Sequence, residues 1–206
     1  MTRNYSNIRS LLSRYRLVLA SGSPRRVSLL EENAIPFRQL IPDIDENNHL
    51  AEDPVRYAER LSFLKTEAVL PLTTPDEIII GCDTIVILEG KILGKPSSPD
   101  HAFQMLRALS GKKHTVCSAV SLQSHRHAAV IGSELSDVFF KEVSDEAIKA
   151  YIRTGEPLDK AGAYGIQNAG GFLVDRVEGN IDNVIGLPMT LLDYLAGKIY
   201  SELKAK

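Results

Sequence analysis

The chain has 206 residues, of which 44% are hydrophobic and 24% charged, so it is long enough to bury one substantial core or two small lobes. Its 24 Lys and Arg nearly balance its 26 Asp and Glu, and the net charge of -2 excludes a protein that coats a nucleic acid polymer through a general basic field. No apolar run approaches the roughly 20 residues that span a membrane. Cys82 and Cys117 lie in apolar runs without a secretory signal, so we expect buried thiols in a cytoplasmic protein with no membrane contact.

The N-terminal stretch carries four arginines and no acidic residue, but it lacks the apolar core and the cleavage signature of a targeting peptide. We expect a short amphipathic helix there, in an extension covering 1–15. A single domain should then cover 16–206.

Apolar runs alternate with helical patterns along that domain, which predicts an α/β fold. In its first half the predicted elements are a strand at 16–20, a helix from about 24 to 33, a strand at 37–41, a helix from 54 to near 71, and a strand-like run at 77–96 that is interrupted at Gly81 and turns at Glu89-Gly90. In its second half they are a helix closed by Gly111, strands at 114–123 and 128–140, a helix from Ser144 to Gly155, one strand at 172–177 among loops, and a terminal helix from Pro188.

The stretch LASGSPRR joins the first strand to the first helix of the domain. A strand that turns into a helix through Ser-Gly-Ser presents free backbone N–H groups and the positive end of the helix dipole, which bind anions. Arg25 or Arg26 would add a guanidinium that matches phosphate oxygens. The alternative is an ordinary helix cap at Ser23 followed by solvated arginines, and this segment alone does not decide between the two.

Asp83 interrupts a run of strand-forming residues in GCDTIVI. A carboxylate in a buried strand is unfavourable unless it is paired, hydrogen-bonded or bound to a metal, so Asp83 is a candidate for metal binding or for proton abstraction from water. The alternative is a strand break at Gly81 with Asp83 in a solvated bulge.

Three cations could converge on a pair of carboxylates. Lys65 lies next to the apolar face of its helix, and Lys95 follows a predicted strand in LGKP. Together with Arg26 they would face phosphate oxygens, while Asp83 and Glu46 would hold a divalent ion. A zinc site at His125 and His127 is not supported by a further ligand group, and no G-x-S-x-G motif marks a nucleophile.

Seven motifs resemble the Maf family of nucleoside triphosphate pyrophosphatases, in the family's order from about Leu17 to Leu192. They are LASGSPRR, PDIDE, RLSFLKTEAV, GCDTIVILEGKILGKP, MLRALSGKKHTV, PLDKAGAYGIQ and VIGLP. The resemblance implies a two-lobed α/β structure around a long mixed sheet with a central cleft, as in the related inosine triphosphate pyrophosphatases. It also implies a homodimer and a requirement for magnesium or manganese.

The resemblance assigns roles position by position. Asp83 matches the family's proposed catalytic proton acceptor, and Ser21 and Arg26 match positions that face phosphate. The remaining charged positions of the cleft correspond to Glu46, Lys65 and Lys95, with Glu46 and Asp83 as the metal ligands.

The family divides by substrate base, and this chain is similar to the branch acting on dTTP and UTP at Arg26, Thr84 and Gln167. A glutamine amide both donates and accepts hydrogen bonds, so it can pair with a pyrimidine edge that carries a carbonyl beside an N–H. The branch acting on 7-methyl-GTP has Asp-Gln and a glutamate at the last two positions. Asn168 departs from the family, which usually has glycine there, and this could alter how the loop at the base lies.

These observations predict hydrolysis of dTTP or UTP, or of a modified pyrimidine nucleotide, to the monophosphate and pyrophosphate. Two alternatives stay open at this point: a pyrophosphatase for non-standard purine triphosphates such as ITP, and a nucleotide-binding regulator of cell division or septum formation.

Overall fold

A computed structural model describes residues 4–45 and 52–204 of the chain. The helices are α1 Ser6–Leu12, α2 Pro24–Glu32, α3 Pro54–Val69, α4 Pro99–Leu109, α5 Asp145–Ile152, α6 Ile181–Ile185 and α7 Met189–Lys204. The strands are β1 Arg16–Ala20, β2 Arg38–Leu40, β3 Glu77–Leu88, β4 Lys91–Leu93, β5 Lys113–Ser124, β6 His127–Phe140 and β7 Val174–Glu178. Short 3-10 turns cover 70–72, 156–159, 161–163 and 168–173.

The seven strands form one mixed sheet in the order β2-β1-β3-β5-β6-β7, with β4 paired to β3. β1 is parallel to both β2 and β3, whereas β3 with β4 and β6 with β7 are antiparallel pairs. The turn between β3 and β4 lies at Glu89 and Gly90, which both have a positive φ, as a two-residue hairpin turn requires. The predicted α/β class with a mixed sheet is therefore confirmed.

The chain divides into two compact units. The first unit comprises the described parts of Met1–Asp83, Ser118–Glu134 and Gly186–Lys206, and the second comprises Thr84–Cys117 and Leu135–Ile185. In the first unit, Val18 and Ala20 of β1 are buried against Ile79 of β3 and Val69 of α3. The larger apolar cluster of the second unit includes Leu106 of α4, Val138 of β6 and Ile148 of α5. That 16–206 forms a single domain stays a prediction.

Local signals predicted the helix starts. Asp53, Ser98 and Ser144 occupy N-cap positions, and each side chain accepts a hydrogen bond from a backbone N–H in the first turn of its helix. Proline fills the first helical position of α2, α3 and α4, where its missing N–H has no intrahelical partner to lose. Cys82 and Cys117 are buried thiols, as predicted.

Four predicted details differ from the structure. Gly81 does not interrupt β3. It lies within the strand, at the place where α3 packs closely against it. α5 ends at Ile152, three residues before Gly155, which has a φ of 77° and begins a 3-10 turn. β7 begins at Val174, because the two residues before it belong to a 3-10 turn. Finally, the segment predicted as loops contains the helix α6.

The helix α1 is capped by another helix. Tyr5 at its N-cap position supplies no side-chain hydrogen bond to the helix. The carboxylate of Asp193, on α7, instead accepts hydrogen bonds from the backbone N–H groups of Asn7 and Ile8 at 3.0 and 2.9 Å, and from Asn7 Nδ2 at 3.0 Å. A carboxylate at a helix N-terminus also interacts favourably with the helix dipole. The predicted extension is therefore packed into the first unit.

In the part of the chain that the structure describes, no helix combines the length and the apolarity needed to cross a bilayer.

Replacing Asp193 tests how α1 is held in place. Asp193→Ala leaves two N–H groups of α1 without their acceptor, so we expect the free energy of unfolding to fall by about 1–3 kcal/mol and proteolysis near residue 15 to become faster. Urea denaturation and limited trypsin digestion measure these effects. The exposed Asp175→Ala is the matched control and should change stability by less than about 0.5 kcal/mol. Equal stability of the two variants would contradict this account of α1.

Candidate active site

The loop after β1 leads directly into the N-terminus of α2. The parallel register pairs Ala20, the last residue of β1, with Gly81 of β3, so Ser21 follows the end of β1 near the point where Asp83 lies within β3. Ser23 occupies the N-cap position of α2, but its side chain makes no capping hydrogen bond, and the first turn carries no acidic residue. Its backbone N–H instead donates to Ser21 Oγ at 3.2 Å. The start of α2 thus keeps the positive character that favours an anion.

Arg26 is buried, with 8% of the residue exposed, which excludes the solvated arginine of the alternative interpretation. Its Nη1 donates to Ser21 Oγ at 2.9 Å, and its Nε donates to the backbone carbonyl of Gly186 at 2.8 Å. A guanidinium bonded on two sides is held in one orientation, since its donors lie in a rigid plane.

Gly186 belongs to the site, although the sequence motif VIGLP did not show why. Its carbonyl oxygen accepts hydrogen bonds from Arg26 Nε and from Cys82 Sγ, the latter at 3.1 Å. The φ of Gly186 is 125°, a conformation that only glycine adopts readily. One backbone carbonyl therefore joins the arginine of α2 to the strand that carries Asp83.

Asp83 and Lys65 form a buried ion pair. Asp83 follows the fully buried Cys82 on β3, and Lys65 Nζ on α3 donates to Asp83 Oδ1 at 2.7 Å. The side chains of Lys65 and Asp83 are only 8% and 9% exposed. An unpaired buried carboxylate is strongly unfavourable, and Lys65 supplies the partner that Asp83 needs in the strand. The solvated bulge is excluded.

Gly81 determines how closely α3 approaches this strand. A Cβ atom at Gly81 would lie 2.2 Å from the backbone oxygen of Ser62 and 2.6 Å from Thr66 Cγ2. These two residues flank Lys65 on α3, so the absence of a side chain at Gly81 allows the lysine to reach Asp83. In this strand the glycine therefore marks a close approach of α3, and β3 continues through it.

Thr84, Lys95 and Gln167 belong to the second unit. Thr84 lies on β3 and is partly buried, whereas Lys95 is exposed just after β4. The carbonyl of Gly94 accepts a hydrogen bond from the N–H of Gly162 at 3.0 Å, which joins the segment carrying Lys95 to the segment leading to Gln167.

Aromatic residues anchor the segment before Gln167. The hydroxyl of Tyr164 lies 2.7 Å from His114 Nε2, and both rings meet Phe140 edge-on. Burial lowers the pKa of His114 to about 4, so the imidazole is neutral at physiological pH. Asn168 has a φ of 57°, in the left-handed region that asparagine tolerates better than most residues other than glycine. Asparagine therefore fits the backbone at this position.

The first unit thus brings together four of the predicted residues: Ser21, Arg26, Lys65 and Asp83. The roles of these four, and of Thr84, Lys95 and Gln167, stay predictions, and Glu46 lies outside the described residues. Within 4–45 and 52–204, no group of three His, Cys, Asp or Glu side chains is arranged to hold a metal ion. Gly81 and Gly186 were not recognised as functional from the sequence, because their partners are remote along the chain.

The chain is similar to known proteins in both sequence and fold. The sequence profile of the family described as Maf-like protein matches residues 16–198. A dTTP/UTP pyrophosphatase of Vibrio parahaemolyticus serotype O3:K6 is 44% identical over 87% of this chain and 94% of its own length. A dTTP/UTP pyrophosphatase of Escherichia coli O157:H7 is also 44% identical, over 84% of this chain and 87% of its own.

Among solved structures, the Staphylococcus aureus Ham1 protein has a similar fold. It has a TM-score of 0.51 and 14% identity, and the match covers 89% of this chain and 99% of that one. At this identity the similarity concerns the fold alone.

Adding one methyl group at Gly81 tests the geometry of the ion pair. In Gly81→Ala the new Cβ overlaps the backbone of α3, so the helix must shift and Lys65 moves away from Asp83. We expect a loss of about 1–3 kcal/mol in the free energy of unfolding, as is typical of an overpacked core. Urea denaturation measures it, with Gly94→Ala as the control, because a Cβ at Gly94 has no atom within 4 Å. Similar stability of the two variants would show that α3 is not tightly fixed over β3.

Proposed function

Because the chain belongs to the Maf family, we propose that it is a nucleotide pyrophosphatase that hydrolyses dTTP and UTP between the α and β phosphates, giving the monophosphate and pyrophosphate. The relatives named dTTP/UTP pyrophosphatase, at 44% identity over most of both chains, support this substrate class. The observation that carries the proposal is the buried Lys65–Asp83 pair on β3, just past the point where β1 ends and the loop of Ser21 and Arg26 begins. A protein that only binds nucleotides gains little from a buried acid near a polyanion.

In this mechanism Asp83 acts on the attacking water. Lys65 holds the carboxylate through Oδ1, so Oδ2 accepts a hydrogen bond from the water and takes its proton as the water attacks the α phosphorus. The bond to the bridging oxygen then breaks, and pyrophosphate leaves with the electron pair. Since Lys65 fixes the orientation of the acid beforehand, little reorganisation is needed during the reaction.

The cations neutralise charge on the triphosphate. The N-terminus of α2 and the guanidinium of Arg26 bind phosphate oxygens, with Ser21 positioning the arginine. Lys65 and Lys95 offset the charge that develops on the departing pyrophosphate. The ion pair between Lys65 and Asp83 limits repulsion between the acid and the phosphates.

A divalent metal, magnesium or manganese, would be held by Asp83 and Glu46 together with oxygens of the substrate. Magnesium in nucleotide enzymes is commonly bound through one or two carboxylates plus phosphate oxygens, and the carboxylate of Asp83 fits that mode. When bound, the ion would lower the pKa of a coordinated water and stabilise negative charge on the phosphates.

The base is recognised by Gln167, with Thr84 as a second contact. The amide of Gln167 donates to the carbonyl of uracil or thymine at position 4 and accepts from the neighbouring N–H. A homodimer and a cytoplasmic location stay predictions; light scattering on the purified protein measures the first.

Substitution of Asp83 tests its role. Asp83→Asn keeps the shape of the side chain but removes the proton acceptor, so we expect turnover of UTP to fall about a hundred- to ten-thousandfold while UTP still binds. Pyrophosphate release measures turnover and calorimetry measures binding. The control is Asp175→Asn, an exposed carboxylate of β7. Unchanged turnover in Asp83→Asn would remove this residue from the mechanism.

A panel of triphosphates tests the substrate class. With magnesium or manganese, we expect UTP and dTTP to be hydrolysed at least about tenfold faster than ITP and 7-methyl-GTP, because a site shaped for a pyrimidine does not place the larger purine in the same way. Both the monophosphate and pyrophosphate should form, and a chelator should abolish the reaction. Preferred hydrolysis of ITP, or release of inorganic phosphate instead of pyrophosphate, would contradict the proposal.

A further inference from the structure

The turn that carries Gln167, residues 165–170, is closed at its base. A Cβ atom at Gly170 would lie 2.2 Å from the backbone oxygen of Gly165, so the two ends of the turn touch. The same Cβ would lie 2.5 Å from the hydroxyl oxygen of Tyr151. This tyrosine of α5 is 3% exposed and lies directly under the turn.

Two side chains bind the backbone on both sides of Gln167. The N–H of Gly165, two residues before it, donates to the hydroxyl oxygen of Tyr151 at 3.2 Å. The N–H of Ala169, two residues after it, donates to Glu156 Oε2 at 3.2 Å. The hydroxyl of Tyr151 in turn donates to Glu156 Oε1 at 3.1 Å, so the two anchors are also bonded to each other.

Further contacts hold these anchors in place. The ring of Tyr151 meets Phe172 edge-on, with centroids 6.0 Å apart, and Phe172 belongs to the 3-10 turn that follows Gln167. Burial and the neighbouring carboxylate of Glu156 raise the pKa of Tyr151, so its hydroxyl stays protonated and can donate. A closed turn bound at both ends presents Gln167 from a fixed backbone position.

A fixed position has a consequence for base selection. Hypoxanthine, the base of ITP, carries a carbonyl beside an N–H, which is the pattern that uracil presents. The amide of Gln167 can pair with either edge. The two bases differ in how far that edge lies from the ribose, because the purine has an additional ring. Discrimination between them therefore depends on where the turn is held.

We propose that Tyr151 and Glu156 are positioning residues that fix the turn of Gln167 and thereby set the preference for a pyrimidine over a purine base. This inference rests on the proposed function, since it concerns how the same site selects its substrate. Neither residue touches the reacting phosphates.

The test is a comparison of UTP and ITP in the full-length protein. Tyr151→Phe keeps the ring but removes the acceptor for Gly165 and the donor to Glu156. The ratio of kcat/KM for UTP over ITP should fall about 3- to 10-fold, the range expected for loss of the one hydrogen bond that Tyr151 makes to the turn. The loss should come from a higher KM for UTP, with kcat within about twofold, because the catalytic groups are untouched.

Tyr15→Phe is the matched control. Tyr15 is also a buried tyrosine that loses one hydroxyl contact, to His127 at 3.1 Å, but it belongs to the first unit. It should lower stability without changing the UTP to ITP ratio. Glu156→Gln, which keeps the shape of the side chain, should shift the ratio in the same direction by a smaller factor, and it decides the question if Tyr151→Phe does not fold.

Amide hydrogen exchange gives a readout that does not depend on activity. Exchange of residues 165–170 should become faster in Tyr151→Phe and stay unchanged in Tyr15→Phe. An unchanged UTP to ITP ratio in a folded, active Tyr151→Phe protein would overturn this inference and leave the proposed function intact. No pyrophosphate release from UTP by the unsubstituted protein would overturn both.

Discussion

The buried ion pair of Lys65 and Asp83 is the interaction on which the rest of the first unit depends. Three consecutive isoleucines, Ile78–Ile80, precede Asp83 on β3 and are fully buried, so the strand carries a charged group out of an apolar core. Such a group is tolerated only when an opposite charge is held against it. The packing of α3 on Gly81 supplies that charge, because the close approach of the helix lets Lys65 reach Asp83.

A second constraint is the carbonyl of Gly186. It accepts from a guanidinium and a thiol that are 160 and 104 residues away along the chain. A substitution with a side chain at this position would disfavour the φ of 125° and turn the carbonyl away from both donors. The motif VIGLP therefore acts through its backbone, by fixing Arg26 next to the start of α2.

Elements with strong local signals were predictable. Capped helices with proline at the first position, such as α3 and α4, began where the sequence indicated, because the capping bonds involve residues within one turn. The prediction at Gly81 was wrong, since a glycine in a strand marks either a break or a close approach, and only the position of α3 distinguishes them. The helix α6 was missed because the glycines and asparagines around it are typical of loops.

The site residues were predictable only as a set of motifs. No local pattern connects Lys65 with Asp83 or Arg26 with Gly186, since these contacts depend on strand register and helix packing. The order of seven motifs, and their resemblance to one family, supplied what spacing alone did not. The anchoring of Gln167 by Tyr151 and Glu156 had no such signal, because its bonds run to backbone N–H groups, which every residue type except proline provides.

The two units hold their functional residues by different physical means. In the first, charges are fixed on regular elements, a strand and a helix, where a shift of either would leave a buried charge unpaired. In the second, Gln167 lies on a short turn fixed by a few hydrogen bonds, each of which contributes little to stability. Loss of one of these hydrogen bonds by substitution can therefore move the turn at a small cost in free energy, whereas removal of one partner of the ion pair leaves a buried charge unpaired.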